Sequence, residues 1–231
     1  MKKFLSIVAL SLLSAMVLSA QKIQGTITIQ ARENLLSKLP AEAAYFLPEF
    51  MDATVQSTDG QLSNGRINIC LVDNSVRFIQ PETGDTLLLS SPENIMRIII
   101  GDTVMLQHDG DFIKAVAVYG KTFLGERRTL SLEDADIEAG YSSIPATSTA
   151  KRANVVSVDY DRMRNGENTV NYSLSIKYFI GDGISLYPAR LSSFLKVFPE
   201  KKKDLRLYAK EHKTDFNDKS DLIDFFYHCT E

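Results

Sequence analysis

Ser193 and Lys196 stand three residues apart in Ser193-Phe194-Leu195-Lys196. That S-x-x-K spacing places a nucleophilic hydroxyl and a basic amine one helical turn apart. No S-x-N or K-T-G element follows, and Phe194 and Leu195 fit a packing stripe, so the two read as a helix-surface pair. Ser148 and Lys151 repeat the spacing in a stretch of small polar residues. His108-Asp109-Gly110-Asp111 collects three metal-ligand types in one turn, although Asp-Gly is first of all a turn-forming dipeptide. Asp134, Asp136 and Glu138 alternate along the chain, as do Asp159 and Asp161. Each set lies on one side of an extended segment, where clustered oxygens can hold Ca²⁺, and a solvated acidic loop produces the same pattern. Asp215-Phe216-Asn217 opens like an EF-hand loop, but Lys219 at the fifth position and Ser220 in place of the required glycine exclude one. There is no G-x-S-x-G elbow. Paired carboxylates for glycoside hydrolysis need not be close in sequence, and no particular pair stands out. The expectation is therefore no catalytic, metal-ligating or cofactor-binding residue.

The cysteines number two, Cys70 and Cys229. Either they pair as a staple between a C-terminal helix and a β core, or they are two separately buried thiols. Pairing needs a Cα separation under about 7 Å, which spacing alone does not fix. His228 adjoins Cys229, but neighbours on a helix point about 100° apart and do not form a dyad. Tyr45, Phe46 and Phe50, and later Phe225, Phe226 and Tyr227, could meet a sugar or peptide, with core packing as the default.

Positioning these residues falls to many short strands. Strands are expected over 22–30, 53–57, 66–72, 75–80, 86–90, 95–100, 103–107, 111–119 and 121–132: apolar and polar residues alternate over 22–30 and 66–72, and 95–100 is mostly apolar and β-branched. In the segment 66–72, Ile67, Ile69 and Leu71 share one face, with Asn68 and Cys70 on the other. Asp59-Gly60, Asp73-Asn74, Gly84-Asp85, Gly101-Asp102 and Asp109-Gly110 punctuate them as turns, and Gly125 reads as a bulge. A short helix fits 32–39. Strands at intervals of about ten residues with such turns indicate an antiparallel meander and leave no room for the helices of an α/β nucleotide fold. Residues 133–153 are acidic, then small and polar, and read as a loop or linker. Strand patterns return at 154–160 and 169–180. Helical spacing takes over at 191–198, 200–213 and 218–228, with Pro199 ending the first and Asn217 or Asp218 capping the last. The predicted fold is α+β, mostly antiparallel β in a roll or sandwich-like meander, with two or three short C-terminal helices. The predicted organisation is a signal peptide at 1–20, a β-rich body at 21–132, the loop at 133–153, and a hairpin with helices at 154–231.

The N-terminus has Lys2 and Lys3, an uncharged apolar run from Phe4 to Leu18, then Ser19-Ala20 before Gln21. That order is a Sec-type signal with cleavage after Ala20. An uncleaved anchor is the alternative, and the run falls short of the roughly 20 apolar residues of a spanning helix. No cysteine follows the cleavage point for lipid attachment, and no transmembrane segment is expected after cleavage. Removing Lys2 and Lys3 leaves 24 basic against 29 acidic residues, about −5. Scattered, mildly acidic charge argues against nucleic acid as a partner and against docking on anionic lipid. An outer-membrane barrel needs strands of about nine to eleven residues with a continuous lipid-facing row, and most strands here are shorter.

The segments G-R-I-N-I-C-L-V-D-N-S-V-R-F-I at 65–79 and F-L-K-V-F-P-E-K-K-K-D-L-R-L-Y-A-K-E-H-K-T-D-F-N-D-K-S-D-L-I-D-F-F-Y at 194–227 resemble a group of exported β-rich proteins of Bacteroidetes. That group has a helical C-terminal tail and no known function. The resemblance implies a Gram-negative envelope or secreted location and carries over no site residue. The expected function is a non-catalytic binding or envelope-assembly protein with an envelope protein partner, in the periplasm, at the cell surface or outside. A secreted hydrolase acting on glycan or peptide and a soluble small-ligand binder are the alternatives.

Overall fold

A computed structural model of the chain describes residues 23–30, 33–89, 92–134 and 168–231. Alternating side chains and tight turns produce eleven strands in one antiparallel sheet: β1 (Gln24–Ile29), β2 (Met51–Ser57), β3 (Leu62–Ile69), β4 (Val76–Ile79), β5 (Thr86–Leu88), β6 (Ile95–Ile100), β7 (Thr103–His108), β8 (Asp111–Tyr119), β9 (Thr122–Asp134), β10 (Asn168–Gly181) and β11 (Leu186–Pro188). The strand order is β1-β10-β9-β8-β7-β6-β2-β3-β4-β5, with β11 beside β1 on the outer side of β10. Two meanders are thus fused where β6 pairs β2.

The expected α+β, mostly antiparallel class is the observed one. Each turn follows its local chemistry. At the β7–β8 hairpin both Asp109 and Gly110 adopt positive φ, 51° and 87°, the pair of angles that a two-residue hairpin of the primed type requires. The bulge expected at Gly125 lies instead on the partner strand, between Ala115 and Ala117. Gly125 has a steric role. A Cβ there would lie 2.5 Å from Ile113 Cγ2.

The sheet curls on itself. Ile29 of β1, Leu130 and Leu132 of β9 and Val170 of β10 share one apolar cluster with Val55 of β2, Ile69 of β3 and Ile98 of β6. Strands that distant in sheet order meet only if the sheet rolls. Two single-turn helices, α1 (Leu35–Lys38) and α2 (Ala41–Ala44), enter the same cluster through Leu39, Ala43, Ala44 and Phe46. The helix expected at 32–39 is the single turn α1, ended before Pro40 because the residue before a proline is disfavoured in helical conformation; α2 is a separate turn after it.

Three C-terminal helices, α3 (Leu191–Val197), α4 (Lys202–Glu211) and α5 (Lys219–Thr230), cover the other end of the sheet. Phe194, Leu205, Leu222, Phe225, Phe226 and Cys229 pack on Ala117, Leu124 and Ile180 as a second cluster. Asp218 caps α5, accepting from the backbone N–H of Ser220 and Asp221 at 2.8 and 3.0 Å. Strand β9 continues to Asp134, two residues past the expected boundary at 132. The rest of the expected loop and the strand expected at 154–160 lie outside the described residues, as do the signal residues 1–20.

Candidate functional site

Among the described residues, the side chains that sequence spacing singled out do not converge; Asp136, Glu138, Ser148, Lys151, Asp159 and Asp161 lie outside the described residues. Ser193 is buried, while Lys196 Nζ sits 4.0 Å from the Tyr187 ring centroid. An amine held over that ring is committed to a cation–π contact rather than to activating a hydroxyl. Among the described residues His108 has an ion-pair contact with Asp109 alone, at 3.6 Å, and Asp111 is taken by Arg127 at 2.8 Å and by the Asn74 amide at 2.8 Å. Asp215 folds back on Asn217 in a turn that leads into α5. Among the described residues no three His, Cys, Asp or Glu side chains gather closely enough to hold a metal ion. No helix among them is long and apolar enough to cross a membrane.

The staple between Cys70 and Cys229 is not formed: both thiols are free and buried. Cys229 lies inside the helical cluster and Cys70 at the end of β3, where it bridges Tyr45. Two separately buried thiols is the reading the structure carries. Burial pushes the Cys229 thiol up to about 12. The Cys70 thiol is raised by burial and by the adjacent Asp73 carboxylate. Neither is a nucleophile at neutral pH.

Sequence reasoning missed the two most constrained polar side chains. The first is Glu126, 2% exposed on β9. Residues 124, 126, 128, 130 and 132 share one face of that strand. Leu124 belongs to the helical cluster and Leu130 and Leu132 to the roll, so Glu126 and Arg128 occupy the seam between the two cores. Glu126 accepts from Arg128 Nε at 2.9 Å and from Lys219 Nζ at 3.2 Å. Arg128 also donates to the Phe46 carbonyl at 2.9 Å and lies 4.6 Å from the centroid of that ring. Burial pushes the Glu126 carboxyl upward, but Arg128 and Lys219 outweigh it and hold the group below its ordinary value. An ionised, fully partnered carboxylate is a clamp between sheet, α5 and the segment after α2; it has no proton to give. Tyr178, opposite it on β10, is raised by burial and by the Glu126 charge.

The second is Asn68, buried on β3. Its side-chain carbonyl accepts from Leu47 N at 3.0 Å, and its amide donates to the Leu47 and Glu49 carbonyls at 3.0 and 3.1 Å. The segment after α2 therefore packs against the Asn68 side chain, on the face opposite Ile67, Ile69 and Leu71.

What remains accessible is a sheet edge. Strand β5 ends the strand order, and its outer side has no ladder partner among the described residues. The register with β4 pairs Phe78 with Leu87, and the flanking bonds Gln80 N to Asp85 O and Leu89 N to Val76 O fix the phase. Backbone groups alternate in direction along an antiparallel strand. Leu87 thus turns its N–H and C=O toward β4, while Thr86 and Leu88 turn theirs outward. Leu87 and Leu88 are 40% and 58% exposed. Natural edges are blunted by shortness, charge, proline or a bulge; Thr86-Leu87-Leu88 is short, three residues, but carries no charge, proline or bulge. Leu89, the next residue, enters a cleft of about 410 Å³ with Val55 and Ile95 on its floor and Ser57, Asp59 and Asn94 at its rim. Smaller clefts lie over β1 and β10, about 330 Å³, and beside the β10–β11 turn, about 270 Å³.

Comparison with protein-family models, with curated proteins and with solved structures finds no match to the chain.

Proposed function

We infer that the chain is an exported, non-catalytic binding protein of the cell envelope, and that it accepts an extended segment of a protein partner along β5. The observation that carries this reading is the open edge of β5: outward backbone groups at Thr86 and Leu88, with Leu87 and Leu88 exposed and a cleft adjoining at Leu89. In strand addition, main-chain hydrogen bonds supply affinity and neighbouring pockets sort the alternate side chains. The cleft at Leu89 suits the second part of that task. The basic, apolar and small-residue order of the N-terminus supports export. A hydrolase reading finds no support in Glu126, whose carboxylate is already satisfied by two cations.

The test is cross-linking and capture of the tagged protein from its own cells, with Leu88→Pro beside the wild type. Proline at 88 deletes an outward N–H and leaves the β4–β5 ladder intact, since edge strands tolerate it there. A partner captured by the wild type and lost in Leu88→Pro, at unchanged melting temperature, is the expected result. Equal capture by both proteins, or none by the wild type, overturns the reading.

A further inference from the structure

Helix α4 turns Leu205, Tyr208 and Ala209 toward the helical cluster. Its opposite face is exposed and carries Lys203, Arg206, Leu207 and Lys210. At 100° per residue, Lys203 and Lys210 point within about 20° of each other, with Arg206 about 60° to one side and Leu207 about 40° to the other. Lys202 extends the basic sector, and Glu211 closes the helix beyond Leu207. These cations have no ion-pair partner among the described residues. Of the acids on the helix, Asp204 is engaged by His228 Nε2 at 2.9 Å. Leu207 is 54% exposed within this cationic face.

We propose that this α4 face docks on an anionic lipid surface, with the basic residues against phosphate headgroups and Leu207 dipping between them. The face is convex and lies outside the three clefts described above, so it fits a flat partner better than a peptide. The apolar face of α4 is taken by the protein core, so the attraction is electrostatic: a cluster of Lys and Arg on an amphipathic helix draws anionic headgroups. The overall acidic charge does not prevent this. Charges beyond the Debye length, about 8 Å at physiological salt, are largely screened from the contact. The scattered-charge argument against lipid therefore holds for the chain as a whole but not for this locally unneutralised helix.

The test uses the processed protein from its own cells with vesicles of phosphatidylcholine, alone or mixed with phosphatidylglycerol. Flotation should recover it on the mixed vesicles only, and raised salt should release it. Each basic residue at such a surface strengthens binding about fivefold, so Lys203→Glu with Arg206→Glu and Lys210→Glu should weaken it by roughly a hundredfold or more. Leu207→Ser should weaken it about tenfold. All four positions are exposed, and circular dichroism checks that the fold is kept. The proposal is overturned if the wild type ignores mixed vesicles, binds both kinds alike, or binds no better than the triple variant. Preference for polyglutamate over the vesicles would assign the face to an acidic protein segment and would equally overturn it.

Discussion

Glu126 and Lys219 lie 93 residues apart in the chain, yet the lysine amine donates to the glutamate carboxylate across 3.2 Å and ties the first turn of α5 to β9. Arg128 completes the charge balance from the same strand face. Removing one partner of a buried pair strands the remaining charge. Here both cations keep some solvent, 26% for the Arg128 side chain and 44% for Lys219, which moderates the penalty. Glu126→Gln is expected to cost about 2 kcal/mol near pH 7, and Lys219→Ala under about 1 kcal/mol. The carboxyl is held below its ordinary value in the fold, so its contribution is full above the unfolded value of about 4.3 and fades as pH falls through the folded one. Urea midpoints of wild type and Glu126→Gln should therefore converge in acid. A gap that stays constant down to low pH would contradict the clamp.

The two thiols make a separate prediction. Both are buried and raised, Cys229 to about 12. The folded protein at pH 8 should resist iodoacetamide at both positions, and denaturant should expose both. Reductant should change neither the intact mass nor the melting temperature. A chain lighter by the hydrogens lost in disulfide formation would show the staple instead.

The turns were legible in the sequence because Asp-Gly and Asn residues settle their backbone angles locally, as Asn74 and Asp109 do with φ of 53° and 51°. The α5 cap at Asp218 was legible for the same reason. Pairing across the sheet was not. A period of two tells which residues share a face, not that β6 adjoins β2 or that β1 adjoins β10. Glu126 looked like any strand carboxylate, since its partner Lys219 comes from a distant helix. Alternation placed Asn68 opposite Ile67, Ile69 and Leu71 but could not show that residues 47–49 cover that side. The S-x-x-K spacing was legible as a spacing. Tyr187, which draws Lys196 away, comes from β11.

Gly125 tests the close packing of β9 on β8. A methyl group there would meet Ile113 Cγ2 at 2.5 Å and the Phe123 ring at 3.1 Å. Ile113 is buried and has little freedom to retreat. Gly125→Ala is thus expected to destabilise by about 1–3 kcal/mol through overpacking, despite alanine's lower cost in chain entropy. Gly65→Ala is the control, because nothing lies within 4 Å of a Cβ there. Denaturant unfolding of the pair should show the loss at 125 alone, and equal effects would refute the packing argument.

Asn68 bears most directly on how the segment after α2 is held. Its amide uses both hydrogens on carbonyls of that segment, and its oxygen takes the Leu47 N–H as well as the Ile69 N–H at 2.8 Å. Asn68→Ala leaves those backbone groups without partners in a buried place, at about 1–3 kcal/mol for each group that water cannot reach. Asn68→Asp keeps the acceptor and loses the donors, so it should spare the Leu47 N–H and free the two carbonyls. The segment also presents the Phe46 carbonyl and ring to Arg128. Hydrogen exchange at Phe46 and Leu47 should accelerate in Asn68→Ala, and in a double-mutant cycle Asn68→Ala and Glu126→Gln should couple, because Arg128 links both to the same stretch of backbone. Strictly additive losses would show that the two buried polar groups hold the roll independently.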